Sequence, residues 1–381
     1  MHVHALPGSL TGLKVVDLSK VLGGPYCTQI LADHGADVIK VEPPNGDETR
    51  GWGAPVRERA SAYFLGVNRN KRGATLNLGD AADRQRLLAL LEDADVLVEN
   101  YKPGTLERWG LGRQVLSERF PALIHCRISG FGDEGPYAGM PGYDAAIQAM
   151  SGLMSVNGEQ DGDPLRVGVP IVDMVTGMNA ALGILMALHE RKLSGKGQFI
   201  EAALFDCALS ILHPHSANYL YAGQAPRRSG NAHPNITPYD KFATSTGEVF
   251  LAVGNDAQFA TLCRYLELPG LIEDPRFSSN QLRNRHRQAL REALAEGLQR
   301  HAAEELCERL IRAGVPCGPV LDVPQALALP QVAARGMLVS IGDDYRGIAS
   351  PIRLSRTPAS YRAQPPGLGE HSQEVLRRRD D

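Results

Sequence analysis

Short, nearly continuous apolar runs alternate with longer amphipathic stretches through the first half of the chain. Lys14-Val-Val-Asp-Leu18 reads as a buried strand, and Val21-Leu-Gly-Gly-Pro-Tyr-Cys-Thr-Gln-Ile-Leu-Ala32 as a glycine turn opening a helix with Pro25 in its first turn. Ala36-Asp-Val-Ile-Lys-Val-Glu42 follows as a second strand. The pattern predicts a helix over 81–91 and a strand over 95–99, and the segments 115–120 and 122–128 repeat the alternation. A long apolar helix ends near Lys192, residues 199–203 read as a strand, and 204–221 as a helix interrupted at Pro214. Strand, helix and strand in repeated succession predict an α/β protein with a parallel sheet covered by helices on both faces.

Residues 223–240 are rich in Gly, Pro, Arg and Asn and mark a boundary. Beyond them the spacing predicts a strand over 248–253 and helices over 257–266, 285–298 and 303–313, a smaller α/β domain. The segments 347–350 and 357–369 read as extended and hold too little apolar sequence for a core of their own. The expected organisation is a large domain over 1–222, completed by 330–381, and a small α/β domain with linkers over 223–329.

Composition removes several classes of function. Forty Lys plus Arg against 43 Asp plus Glu give a net charge of −3, with no single-sign run before Arg377-Arg378-Arg379, so no nucleic-acid partner is expected. The six scattered cysteines form no CxxC pair and fit a reducing cytoplasm. Met1 to Leu10 lack the basic and apolar regions of a signal peptide. The apolar run from Ile171 to Leu188 carries Asp173 and Asn179 and is broken by Gly177 and Gly183, which predicts a buried helix and no membrane span.

Asp173 is the most informative residue of that run, because a carboxylate in apolar surroundings must be paired from elsewhere, protonated, or kept for chemistry. It reads either as a nucleophile for acyl exchange through a mixed anhydride, or as a helix N-terminal carboxylate satisfying free N–H groups after Pro170. Gly130-Phe-Gly-Asp-Glu-Gly135 matches a dinucleotide fingerprint but is followed by Pro136 and Pro141, which cannot open the required helix. His213, His215 and His233 lack metal-ligand spacing, so no metal is expected, and no G-x-S-x-G elbow supports a serine hydrolase. What remains are glycine-bearing turns after predicted strands, at 21–24, 46–53 and 99–104, which set Arg50, Lys102 and Arg108 where a phosphorylated ligand could lie.

Taken in order, several segments resemble the family III CoA-transferases, the CaiB/BaiF family: Leu13-Lys-Val-Val-Asp-Leu-Ser-Lys-Val-Leu-Gly-Gly-Pro25, Gly35-Ala-Asp-Val-Ile-Lys-Val-Glu-Pro43, Asn68-Arg-Asn-Lys-Arg72, Asp95-Val-Leu-Val-Glu-Asn-Tyr-Lys-Pro-Gly104, Gly142-Tyr-Asp-Ala145, Asp173-Met-Val-Thr-Gly-Met178, Gly195-Lys-Gly-Gln198 and Leu368-Gly-Glu-His371. The resemblance implies a Rossmann-like large domain, an interlocked homodimer, and Asp173 as the catalytic aspartate carrying acyl-anhydride and aspartyl-CoA intermediates. It implies acyl-CoA and a small carboxylic acid as substrates, with no tightly bound cofactor. By matching positions it places CoA against Val21, Leu22, Gly23, Leu76, Asn100, Tyr101, Arg108, Trp109 and Tyr143.

Two departures qualify the resemblance. An arginine that follows the second strand's glutamate in some members is Pro43 here, leaving Arg69 or Lys71 as replacement phosphate contacts. The consecutive glycines that cover the site of oxalate enzymes are absent, and Gly230-Asn-Ala-His-Pro-Asn-Ile-Thr-Pro-Tyr239 stands in their place, which argues against oxalate. The segments 152–168, 217–220 and 231–239 are most similar to the succinyl-CoA:glutarate branch, whose diacid would need a cationic partner, with Arg166, Arg228 and His233 as candidates. The competing readings are an α-methylacyl-CoA racemase, in which Tyr143 stands where the racemase histidine falls, and a non-catalytic acyl-CoA-binding protein. A phenol with a pKa of about 10 is a poor base near neutrality, and a mere binder has no need of Asp173.

Overall fold

The computed structural model describes residues 8–56 and 60–376, so the first seven residues and the Arg377-Arg378-Arg379 tail lie outside the described residues. The chain divides into two units, one of residues 1–153, 166–214 and 330–381, the other of 154–165 and 215–329.

The first unit contains β1 (Lys14–Asp17), α1 (Gly23–Asp33), β2 (Asp37–Glu42), β3 (Lys71–Thr75), α2 (Ala81–Leu91), β4 (Val96–Glu99), β5 (Ile124–Ser129), α3 (Asp144–Met150), α4 (Ile171–Ser194) and β6 (Phe199–Ala203). These strands form one six-stranded sheet in which every pairing is parallel, in the order β3-β2-β1-β4-β5-β6. This is the doubly wound order, whose direction of progression reverses between β1 and β4 and leaves a ligand crevice at their carboxyl ends. The strands are apolar on both sides because both faces are covered: Val15 joins Leu31, Val96, Ile124 and Ile184 on one face, and Val16 joins Leu18, Leu87, Leu91 and Leu97 on the other.

The long helix α4 is apolar and long enough to cross a bilayer by length and composition alone. Its residues Val172, Thr176, Gly177, Ala180, Ala181, Ile184 and Ala187 are buried at helical spacing, with α1 as a main neighbour. Gly177 permits the close approach: a Cβ there would stand 2.5 Å from the Gly23 carbonyl oxygen. The opposite side of the helix, with Met178, Leu182, Leu185 and Met186, is exposed.

Strand β3 departs from the sequence expectation, since Lys71-Arg72 at its start hides it. Lys71 is buried, its Nζ 2.8 Å from the Asn68 side-chain oxygen and 3.1 Å from Asp17, so the charge is neutralised by a carboxylate distant in sequence. On the outer side of β3 lies the returning segment 363–372. His371 donates its N–H to the Gly73 carbonyl at 2.8 Å, Gly73 donates back to His371 Nδ1 at 3.2 Å, and Asn70 donates to the Ala363 carbonyl at 2.9 Å.

The second unit has its own antiparallel sheet of β7 (Tyr239–Ala243), β8 (Glu248–Ala252) and β9 (Cys317–Pro319), with β8 central. Helices α5 (Asp256–Tyr265), α6 (Arg287–Leu298) and α7 (Ala303–Arg312) close a core that includes Val249, Leu251, Leu262, Leu294 and Leu306. Residues 154–165 and 215–222, read from the sequence as part of the large domain, group with this unit. Hydrogen bonds tie both segments in: Gly230 donates its N–H to the Gly158 carbonyl at 3.1 Å, Arg228 Nη2 donates to the Gly162 carbonyl at 2.7 Å, and the Asn218 amide donates to the Asn235 side-chain oxygen at 3.0 Å.

Candidate active site

The turn leaving β1 is held by buried charges. Asp17 accepts the Ser19 N–H at 2.9 Å and the Thr28 hydroxyl at 2.6 Å, while Lys40 donates to the Ser19 carbonyl at 2.9 Å and to Asp47 at 3.0 Å. Asp47 in turn accepts the N–H of Val21 at 3.3 Å. Val21 has φ of 69°, a left-handed conformation that a β-branched residue adopts only under constraint. On the other side of the crevice the Asn100 amide accepts the Lys20 N–H at 2.9 Å and donates to the Lys20 carbonyl at 2.7 Å, which ties the β4 turn to the β1 turn. The turn that approaches the first residue of α1 is therefore fixed before any ligand arrives.

Asp173 stands in the first turn of α4 and is half-buried. The capping duty that the sequence offered as its alternative role belongs to another residue. Asp144, at the start of α3, accepts the N–H groups of Val172 at 2.8 Å and Asp173 at 3.1 Å, and the Gln148 amide at 2.6 Å. Among the described residues no side chain forms an ion pair or hydrogen bond with the Asp173 carboxylate. Burial first, and the neighbouring Asp144 charge second, push its pKa up to about 7. Beside it lies Gly23, where a Cβ would be 3.3 Å from the Asp173 carbonyl oxygen and 3.7 Å from Oδ1, so glycine leaves the flank of the carboxylate open. Tyr63 also faces this charge: burial, then Asp173, Asp144 and Asp47, raise its pKa to about 12.

The other sequence candidates fall into groups. Val21, Gly23 and Asn100 line the two turns just described, Leu22 is buried within the first of them, and Leu76 is buried in the core cluster of Val16 and Leu18. Tyr101 and Trp109 stack edge to face with centroids 5.4 Å apart, and the exposed Arg108 guanidinium donates to the Thr105 hydroxyl at 3.2 Å. Tyr143 precedes Asp144 and is 58% exposed. Arg69 and Lys71 cannot replace the phosphate contact missing at Pro43. Arg69 is buried, 2.6 Å from Asp33 and from the Ile348 carbonyl, and Lys71 is the buried partner of Asp17. Arg50 is likewise committed, to Glu42 through two bonds at 2.7 and 2.8 Å.

Of the acceptor candidates, Arg166 in the first unit donates to the nearby carbonyls of Val167 and Gly168 at 3.2 Å. Arg228 and His233 belong to the second unit. Arg228 donates to two main-chain carbonyls, and burial, followed by Arg287 and His215, holds the His233 pKa below its ordinary value. Sequence reasoning assigned no role to Asp144 or Tyr63, although Asp144 sits inside the Gly142-Tyr-Asp-Ala145 segment. An acidic residue at a helix start was the available signal. Among the described residues no three His, Cys, Asp or Glu side chains gather as a metal-ligand set.

The doubly wound sheet thus sets its β1 turn, through Gly23, beside a desolvated carboxylate that no described side chain pairs. Residues 10–372 match the model of CoA-transferase family III. The chain is 40% identical over 378 residues to a succinate–glutarate CoA-transferase of Agrobacterium fabrum, covering 96% of this chain and 94% of that one. It is 42% identical over 337 residues to an acetyl-CoA:oxalate CoA-transferase of Acetobacter aceti, covering 88% and 86%. Its fold is similar to the crystal structure of a CaiB/BaiF family protein from Brucella suis, with a TM-score of 0.87, 42% identity, and coverage of 97% and 98%. The chain belongs to CoA-transferase family III. It is an enzyme that uses CoA thioester substrates.

Proposed function

We propose that this enzyme moves CoA from succinyl-CoA to a second dicarboxylic acid, with Asp173 as the nucleophile. The observation that carries the reading is the state of that carboxylate: half-buried, unpaired among the described residues, relieved of capping duty by Asp144, and open on the Gly23 side. The ionised carboxylate attacks the thioester carbonyl and expels CoA thiolate, giving a mixed anhydride. The thiolate then attacks the aspartyl carbonyl and releases the donor acid, leaving an aspartyl-CoA thioester. The acceptor carboxylate attacks that thioester, thiolate leaves again, and its attack on the acceptor carbonyl of the new anhydride yields the product thioester and restores Asp173. Each bond broken resembles the bond formed, so no external energy source is required.

The strained Val21 turn, Asn100 and the Tyr101–Trp109 pair form the wall against which the CoA nucleotide lies in this reading. Relatives named for glutarate and mesaconate support a diacid acceptor, and the relative named for oxalate makes the shortest diacid a member of the test panel. Arg166, in the same unit as Asp173, is the proposed partner of its distal carboxylate. The exposed face of α4, with Met178, Leu182 and Met186 in one stripe, supports a homodimer that covers it. The six free thiols accord with work in a reducing cytoplasm.

The test is CoA exchange followed by mass spectrometry, with succinyl-CoA and glutarate, mesaconate, malate, oxalate and acetate as acceptors. A new acyl-CoA that disappears in Asp173→Ala is the expected result. Free CoA accumulating without any new thioester, or loss of configuration in a chiral 2-methylacyl-CoA, would replace transfer by hydrolysis or racemisation.

A further inference from the structure

An acyl-CoA thioester carries a diphosphate and a ribose phosphate, and the crevice that receives it needs cations free to meet them. Most basic side chains around the first turns are not free. Lys40, Arg50, Arg69, Lys71 and Arg72 each hold a carboxylate, and Arg127 on β5 holds Glu99, Glu107 and Asp133. Lys20 differs from all of these. It sits on the β1 turn at the switch point, is half-buried, and forms no ion pair among the described residues. Its ammonium rests 6.0 Å from the Tyr101 ring centroid, at the outer limit of a cation–π contact.

We propose that Lys20 is the cation that receives a phosphate of the acyl-CoA substrate in the crevice between β1 and β4. The inference rests on the CoA-transferase reading. What singles out Lys20 is its main chain, whose N–H and carbonyl are both bound by the Asn100 amide, so only the side chain must be ordered when the phosphate arrives. Lys102 and Arg108 are exposed on the β4 side of the crevice and lack that double clamp. The Tyr101 ring gives the unliganded ammonium a weak resting place that a phosphate displaces.

Calorimetric binding of CoA, dephospho-CoA and pantetheine to wild type, Lys20→Met and Lys20→Arg tests the assignment. Methionine keeps most of the stem against Tyr101 and removes only the charge. Lys20→Met is expected to weaken CoA by about tenfold to a hundredfold, the worth of one charge-assisted hydrogen bond, while pantetheine binds both proteins alike and Lys20→Arg stays near wild type. A loss that persists with dephospho-CoA assigns the contact to the diphosphate, and one that vanishes assigns it to the ribose phosphate. Unchanged CoA affinity in Lys20→Met, or an equal loss on pantetheine, overturns the role of Lys20 while leaving Asp173 untouched. Failure of the transferase reading shows elsewhere, as absence of CoA exchange by the wild-type enzyme.

Discussion

Asp173→Asn is expected to abolish transfer and, at the same time, to stabilise the protein in a pH-dependent way. The folded-state pKa of Asp173 lies near 7 against an ordinary 3.8, raised by burial and by Asp144. Below the ordinary value both folded and unfolded chains hold the proton, and the site costs nothing. As pH rises toward 7 the unfolded chain ionises while the folded one stays protonated, so stability falls; above 7 the folded state bears the full penalty. At about 1.4 kcal/mol for each tenfold change in proton affinity, that penalty approaches about 4 kcal/mol. Asparagine never ionises and retains the shape. Thermal unfolding of both proteins from pH 4.5 to 8.5, at one protein concentration, should therefore show a gap that opens with pH and reaches about 5 °C. A gap independent of pH, or a wild type more stable than the variant at pH 8, would refute the desolvated, unpaired carboxylate on which the mechanism rests.

Two further perturbations test the same geometry. Asp144→Asn keeps an acceptor for the α4 N–H groups but removes the like charge, so the acid limb of kcat/KM, expected near pH 7, should move to lower pH; a limb that stays in place would separate Asp144 from the nucleophile. Gly177→Ala drives a Cβ to 2.5 Å from the Gly23 carbonyl, which should cost about 1–3 kcal/mol by denaturant unfolding and lower kcat as Gly23 shifts beside Asp173, and normal activity with normal stability would show that the α1–α4 contact relaxes freely.

The parts of the fold that were legible in the sequence are those whose cause is local. Strands β1, β2, β4, β5 and β6 announce themselves as apolar runs because both faces of the sheet are covered. Strand β3 does not, because Lys71 owes its place in the interior to Asp17, 54 residues away. The site divides the same way. Asp173 stood out as a charge in apolar sequence, whereas the residue that frees it, Asp144, lies 29 positions upstream and could be matched to it only in three dimensions. The phosphate contact failed for a related reason: Arg69 and Lys71 look available in sequence, and their long-range carboxylate partners are what consume them.

The segment that lies along β3 bears on how the molecule is made. An edge strand left bare is a template for pairing with any other chain, and here the cover is residues 363–372, translated after the entire second unit. During synthesis the nascent sheet must wait with an open margin while residues 215–329 emerge and fold. A premature stop codon only slightly upstream of residue 363 would thus spare the turns after β1 and β4 yet release a sticky, self-associating product, and a short lesion at that end should behave as an aggregation defect instead of a mild trim.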